Sequence, residues 1–344
     1  MSRRSLTLLI AAVGTAVAIA VSVLVPVPYV ILGPGPTLNT LGKDSSGQPL
    51  IAITGHPTYP TSGNLNLTTV SYQGCQGNRF NIFTALVAWL NPHQAVVPEG
   101  EICPAGQTQQ QTQEQDAQQM TSSQQTATAA ALTELHIPFS TEVAVVQTEP
   151  GSPAAGVLEA GDVITAVDGK PVTTQSSLTR LIYAHPAGST LTVTITRKGQ
   201  TSSVQVGTKE SGGHPVMGVA IQEQYKFPFT VKISVGEIGG PSAGMMFALG
   251  IIDKLTSDNL TGGKFIAGTG EISASGQVLA IGGIEQKMIG ARNAGATVFL
   301  TPASNCADTK GAVPAGLRLV KVSTLNQAVT DLEALKAGQP VPSC

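Results

Sequence analysis

Charged residues are scarce in this chain. Only 12% of its 344 residues are Asp, Glu, Lys or Arg, and the formal net charge is −2. Nucleic-acid binding requires a basic face, and no basic stretch is present in the sequence. The composition therefore excludes a nucleic-acid partner, while the length suits two or three domains of ordinary size.

The spacings typical of metal and nucleotide sites are also missing. The four cysteines form no C-x-x-C pair and have no histidine pair nearby, so we expect no metal. The phosphate-binding motif G-x-x-x-x-G-K-[ST] is absent, because Pro171 and Phe265 follow the glycine-lysine pairs that end at Lys170 and Lys264. We therefore expect no cofactor and no use of ATP.

One long apolar run stands near the start of the chain. Leu6 to Val25 is an uncharged, mostly apolar stretch of 20 residues, and Arg3 and Arg4 precede it. This length crosses the hydrocarbon core of a bilayer, and the arginines predict a cytoplasmic N-terminus. We expect residues 1–32 to form a cytoplasmic tip and an uncleaved anchor. The alternative is a cleaved secretory signal, whose apolar part is usually about 7–15 residues; either places the rest of the chain outside the cytoplasm.

The cysteines agree with an oxidising compartment, in which two disulfides are the natural expectation. Four cysteines can pair in three ways, and we favour the one in which each disulfide closes a loop within one region of sequence. The alternative is four unpaired thiols. The favoured pairs are Cys75 with Cys103 and Cys306 with Cys344.

Residues 33–136 predict a mixed α/β region outside the membrane. Short apolar runs broken by turn residues indicate strands, and a helix is expected near 81–90. The glutamine-rich stretch 107–125 has the composition of a linker, but an alanine-rich end favours helix. We expect a flexible beginning up to about residue 113 and then a helix to about Leu135.

The sequence GSPAAGVLEAGDVITAVDGKPV, at 151–172, closely resembles the core signature of bacterial PDZ domains, and the resemblance covers residues 137–208. PDZ domains bind an extended peptide by adding it to a sheet edge beside a helix. The resemblance places that groove between a strand at 142–147 and a helix at 176–184. The usual glycine-rich carboxylate-binding loop is not evident, so a module used only for packing or assembly is the alternative.

Histidine is missing after the most conspicuous serine of the chain. Ser242 lies in G-P-S-A-G, which matches the G-x-S-x-G elbow of α/β-hydrolases, but that fold needs an acid and a histidine later in the chain. This order excludes the usual α/β-hydrolase triad, because all the histidines precede Ser242: His56, His93, His136, His185 and His214.

A lysine can replace histidine as the base only if burial lowers its pKa. Of the six lysines after Ser242, Lys287 has the most apolar surroundings, because it shares a helical face with Ile284 and Ala291. The competing interpretation is that Ser242 caps a helix beginning at Ala243 and that Lys287 is solvated.

Two separated stretches together form a specific family signature: GGPSAG at 239–244 and GTGEISASGQVLAIGGIEQKMIGARNAGA at 268–296. Together they resemble the proteolytic domain of Lon-type Ser–Lys proteases. The resemblance implies that Ser242 is the nucleophile, Lys287 the general base and Thr269 a neighbour of the lysine amine. Many Lon proteases carry an acidic residue where this chain has Gly239. We expect backbone N–H groups near the oxyanion from Gly239, Gly240, Ala243 and Gly244.

The whole sequence therefore predicts an α+β multidomain chain: a transmembrane helix, a mixed α/β N-terminal region, a PDZ domain and a Lon-type α/β domain at 214–336, with a tail at 337–344. The expected partners are protein or peptide substrates and the membrane, and a homo-oligomer is left open. The expected function is a membrane-anchored serine endopeptidase acting outside the cytoplasm. The competing class is a non-catalytic peptide-binding or scaffold protein with an inert Lon-type domain.

Overall fold

The computed structural model describes residues 3–44, 46–75, 79–103 and 106–344. Met1 and Ser2, the start of the expected cytoplasmic tip, lie outside the described residues. The helices are α1 Arg3–Leu24, α2 Ile82–Trp89, α3 Glu99–Ile102, α4 Gln109–Glu134, α5 Gln175–Tyr183, α6 Gly244–Leu255, α7 Ile284–Asn293 and α8 Leu325–Lys336, with a 3₁₀ helix at Ala303–Thr309.

The strands are β1 Tyr29–Asn39, β2 Ile51–Thr54, β3 Asn64–Gln73, β4 Ala95–Pro98, β5 Ser140–Thr148, β6 Val163–Val167, β7 Lys170–Pro171, β8 Thr190–Arg197, β9 Gln200–Gly207, β10 Lys209–Ser211, β11 His214–Val216, β12 Val219–Lys226, β13 Thr230–Ile233, β14 Phe265–Gly268, β15 Glu271–Ile272, β16 Val278–Leu279, β17 Val298–Pro302 and β18 Arg318–Val322. The chain divides into two compact units. Unit 2 is Pro138–Pro228, and unit 1 is the remainder on both sides of it.

The expected anchor is a helix. Arg4–Leu24, within α1, is 21 residues long, apolar enough to span a bilayer and not buried by the rest of the structure. Such a helix agrees with the expected membrane segment by length and composition, because a helix of about 20 apolar residues matches the hydrocarbon thickness.

The main sheet of unit 1 joins strands from both ends of the chain, in the order β18-β17-β14-β3-β1-β4. The strand β14 is parallel to β3 on one side and to β17 on the other, with Ile266 opposite Leu65 and Val298. The sequence expectation of a separate region at 33–136 was therefore wrong. A four-residue strand as buried as β14 needs neighbours on both edges, and one of them comes from the N-terminal region.

The helix α4 begins earlier than expected. Thr108 accepts a hydrogen bond from the Gln111 N–H, and the Gln111 side chain accepts one from the Thr108 N–H. This capping box satisfies the first free amide groups of the helix, so the stretch predicted to be flexible up to about residue 113 is helical from Gln109. The alanine-rich end is buried, and α4 packs on α6.

Unit 2 contains a sheet in the order β12-β5-β6-β8-β9, with α5 beside it. The strand β12 pairs antiparallel with β5 along its whole length, which corrects two expectations. The compact unit continues past residue 208, the expected end of the domain, to Pro228, and β5 is not the free edge of the sheet. The groove instead lies between β12 and α5, where the Gln175 N–H donates to Glu223 Oε1 at 2.7 Å. Side chains alternate along β12, and Val219 and Ile221 pack on the core of this unit.

Both favoured disulfides are present. Cys75 bonds to Cys103, and Cys306 bonds to Cys344. The second bond fixes the C-terminal tail to the 3₁₀ helix, and the Lys321 N–H adds a hydrogen bond to the Pro342 carbonyl at 3.1 Å. The prediction of the two pairings is confirmed.

Replacing Leu67 on β3 tests whether the N-terminal strands belong to the core of unit 1. Leu67 is 0% exposed, so Leu67→Ala should lower the free energy of unfolding by about 2–5 kcal/mol, as a buried leucine does when a cavity replaces it. Urea denaturation followed by circular dichroism measures the change. Val313→Ala is the control, because Val313 is 41% exposed. Equal unfolding midpoints for the two variants would contradict the assignment.

Candidate active site

The loop between β13 and α6 carries Ser242. Gly240 takes a left-handed backbone conformation with φ of 85°, which favours glycine, and α6 begins at Gly244 with Ala243 as its N-cap. Ser242 therefore does not cap the helix, and its side chain is available for another contact. The helix behind it is almost wholly buried, which fixes the position of the loop.

Lys287 reaches this serine from α7. The helix follows Gly283, whose φ is 67°, and Lys287 is only 3% exposed. Its Nζ lies 2.8 Å from Ser242 Oγ and 3.1 Å from Thr269 Oγ1. The structure thus brings together the three residues that the resemblance singled out, and the alternative of a solvated Lys287 does not hold.

Burial lowers the pKa of Lys287 to about 8 from its ordinary value of 10.5. The cause is desolvation, which disfavours the charged ammonium. A substantial fraction of the amine is therefore neutral near pH 8, and a neutral amine accepts a proton from a hydroxyl in contact with it.

Thr269 connects the lysine to the serine backbone. Its side chain is 0% exposed, and its Oγ1 donates to the Ser242 carbonyl at 2.9 Å. Because that proton is used, the lone pairs of Oγ1 face the Lys287 amine as acceptors. The Gly270 N–H also donates to the Ser242 carbonyl, at 2.8 Å. These bonds hold the serine backbone against the end of β14.

Two of the four backbone groups expected to face an oxyanion are already engaged. The Gly240 N–H donates to the Asp116 carbonyl at 3.0 Å, and the Gly244 N–H donates to the Pro241 carbonyl at 3.4 Å. For both glycines the expectation was wrong, because the tight loop turns these groups inward. Within the described ranges, the N–H groups of Gly239, Ser242 and Ala243 have no acceptor.

The helix α4 holds the same loop at a second point. Ser123 Oγ donates at 2.9 Å to the carbonyl of Pro241, the residue before Ser242. A Cβ atom at Gly239 would lie 2.6 Å from the Cβ of Asp116, so only glycine allows this close approach. Sequence reasoning missed α4 as part of the site because its glutamine-rich composition is typical of linkers. The spacing of Ser123 and Ala127 on one helical face was the available signal.

Two known protein families match separate stretches of this chain. Residues 227–334 match the Lon protease (S16) C-terminal proteolytic domain, and residues 111–208 match the PDZ domain family. The chain is 37% identical over 134 residues to the Lon protease of Heliobacterium modesticaldum, and 31% identical over 131 residues to Lon protease 1 of Bacillus subtilis. Each match covers 37% of this chain and 16% of the relative.

Solved structures match the other unit. The PDZ domain of an SdrC-like protein from Listeria monocytogenes is 25% identical, with 23% of this chain and 85% of that chain covered and a TM-score of 0.22. A protein from Geobacillus thermodenitrificans is 35% identical, with 22% and 85% covered and a TM-score of 0.20.

The chain carries a PDZ domain and a Lon-type proteolytic domain. The Lon-type domain is a serine-peptidase domain, and its residues Ser242, Thr269 and Lys287 all fall within the matched range. The match at 111–208 starts inside α4, whereas the compact unit begins at Pro138.

A cleft of about 890 Å³ in unit 1 includes Ser242 in its lining. Its apolar lining comes from both parts of unit 1, with Leu32 and Met120 from the part before unit 2 in the sequence and Ile238 and Ile281 from the part after it. The charged groups that line it besides Lys287 are carboxylates: Asp116, Glu237 and Glu271. In the described part of the chain, no cluster of three His, Cys, Asp or Glu side chains is arranged to hold a metal ion.

Adding one carbon at Gly239 tests whether α4 positions the nucleophile. In Gly239→Ala, the new Cβ would overlap Asp116, so the loop must shift and displace Ser242. We expect the rate of Ser242 labelling by a fluorophosphonate to fall on the order of 10²-fold, the usual cost of a displacement of about 1 Å.

Two variants accompany this experiment. The double variant with Asp116→Gly should recover part of the rate, because it removes the atom nearest to the new carbon. Gly100→Ala is the matched control, since a Cβ there would meet nothing within 4 Å. Labelling of Gly239→Ala at the rate of the unchanged protein would mean that the contact with α4 is not required.

Proposed function

We propose that this chain is a membrane-anchored serine endopeptidase that works with a Ser242–Lys287 dyad. The observation that supports it best is a single contact: a lysine amine 3% exposed, with a pKa lowered to about 8, lies 2.8 Å from a serine hydroxyl. Hydrogen-bond contact between a nucleophile and a base of lowered pKa is the arrangement that activates a serine.

In the proposed reaction, Ser242 Oγ attacks the carbonyl carbon of a peptide bond while neutral Lys287 takes the hydroxyl proton. The negative charge on the former carbonyl oxygen is stabilised by the N–H groups of Ser242 and Ala243. When this intermediate collapses, the C–N bond breaks and Lys287 returns its proton to the leaving amine. Water then attacks the ester carbon and gives a proton to Lys287. When the C–Oγ bond breaks, the acid is released and Lys287 returns that proton to Ser242 Oγ, which restores the hydroxyl.

The proposal extends to hydrolysis without ATP. The 344 residues contain no G-x-x-x-x-G-K-[ST] motif to cradle phosphates. Without an ATP-driven unfolding step, the substrates of this chain are unstructured or locally unfolded protein segments that enter the cleft as extended chains.

The proposed location is the outer side of a cell membrane, with α1 as the single span. The length and apolar composition of Arg4–Leu24 support the span, and Arg3 and Arg4 at its N-terminal end support a cytoplasmic N-terminus. Two disulfides, Cys75–Cys103 and Cys306–Cys344, suit an oxidising compartment. The substrates are accordingly extracytoplasmic or membrane-associated proteins.

We assign the PDZ domain the selection or gating of substrate. The strand β12 is the last strand of its sheet, and a groove lies between it and α5. An extended peptide that adds to β12 would satisfy the outer backbone groups of that strand, as in strand addition generally.

The pH dependence of hydrolysis tests the dyad. Only neutral Lys287 accepts the serine proton, so kcat/KM for an unstructured peptide should rise with pH through about pH 8 and then level off. Below the pKa, each pH unit removes about nine-tenths of the neutral amine. Lys287→Ala should lower the rate by about 10²–10⁴-fold, the usual contribution of a general base.

Lys254→Ala is the matched control, because burial also lowers the pKa of that half-buried lysine, which lies in α6. It should keep the rate and pH profile of the unchanged protein. A flat profile between about pH 6 and 10, or equal losses in the two lysine variants, would count against the dyad. Absence of hydrolysis in all forms, with no labelling of Ser242, would favour the binding or scaffold class.

A further inference from the structure

The helix α2 exposes an unusually apolar surface. Its sequence, IFTALVAW, contains no charged residue, and Ala88 is its only buried residue. The exposed fractions reach 69% for Val87 and 68% for Trp89, and Leu90 just after the helix is 68% exposed. Ile82, Phe83 and Leu86 are also exposed, at 45–50%.

Single apolar side chains on a surface are ordinary, but a contiguous group of six is not. Large exposed apolar patches mark surfaces that contact a partner or a membrane. The contacts that α2 makes in unit 1 indicate what covers this surface.

The first turn of α2 is tied to the end of α1. Pro26 forms a bridge with Asn81, the N-cap of α2, and the Val27 N–H donates to the Phe80 carbonyl at 3.0 Å. Pro26 follows the last residue of α1 by two positions, a reach of about 7 Å. The headgroup layer on each side of a bilayer is about 5–8 Å thick. If α1 spans the bilayer, α2 begins within that layer.

We infer that α2 lies in the lipid–water interface beside the end of α1, as a second contact between unit 1 and the bilayer. The inference rests on the proposed membrane anchor. Tryptophan concentrates at this depth because its ring is apolar and its N–H finds polar partners. The helix also precedes β4, which pairs with β1, the strand that follows α1. Two contacts, from α1 and α2, hold this edge of the sheet against the membrane.

The chain provides its own reporter, because it contains one tryptophan, which is Trp89. The full chain is reconstituted in phosphatidylcholine vesicles, and flotation establishes whether it is bound to them. Trp89 emission is then compared in ordinary vesicles and in vesicles whose lipids carry bromine on the upper acyl chain. We expect a blue-shifted emission maximum and a loss of intensity with the brominated lipid.

The outcomes distinguish failure of the membrane anchor α1 from failure of the interfacial assignment of α2. A chain that floats with the vesicles but whose emission is not quenched overturns the assignment of α2 and leaves the anchor in place. Emission that is blue-shifted but not quenched means that protein, such as a second copy of the chain, covers α2, and also overturns the assignment. A chain that does not float overturns both the anchor and the interfacial helix.

A pair of variants tests the surface itself. Val87→Glu places a charge on the most exposed apolar position of α2 and should reduce the quenching of Trp89, while the chain still floats through α1. Val313→Glu is the control, since it changes an exposed valine elsewhere in unit 1 and should leave the quenching intact. Equal quenching in the two variants would contradict insertion of this face.

Discussion

The burial of the Lys287 amine is the constraint on which the rest of the site depends. Lowering its pKa from 10.5 to about 8 makes the charged form about 3 kcal/mol less favourable in the folded protein than in water. Between pH 8 and pH 10.5 the unfolded chain therefore binds more protons than the folded one. The destabilisation from this group is complete below about pH 8, decreases as the pH rises, and is absent above about pH 10.5. The buried helix α6 and the core around Phe299 and Met288 offset that cost.

The walls that exclude water from this amine come from distant parts of the sequence. The strands β1 and β3 and the helix α4 precede the PDZ unit, whereas Ser242 and Lys287 follow it. Unit 2 is thus inserted into unit 1 between the end of α4 and β13. The helix α4 contacts the nucleophile loop through Ser123 and Asp116 and then leads directly into unit 2. The same helix therefore both precedes unit 2 in the chain and holds the Ser242 loop by hydrogen bonds.

Features that depend on neighbouring residues could be predicted from the sequence. Features that depend on pairing between strands far apart in the chain could not. The helical face of Lys287 on α7 followed from local periodicity, and both disulfide pairs followed from closing each loop within one region of sequence. The sheet partner of β14 did not, because Phe265 meets Asn64 about two hundred positions away. Likewise β12 alternates partly buried with exposed side chains, and nothing local shows that it pairs with β5. The Gly240 N–H was misassigned for the same reason, because its acceptor is Asp116.

The absence of an acidic side chain at Gly239 has a physical meaning in this arrangement. A carboxylate beside Lys287 would raise the pKa of the lysine and keep it protonated, whereas burial is the cause that sets its pKa here. The carboxylate near the loop belongs instead to Asp116 on α4, and its charge raises the pKa of Tyr72 after the larger effect of burial. Glycine at 239 makes room for α4, because a Cβ there would overlap Asp116.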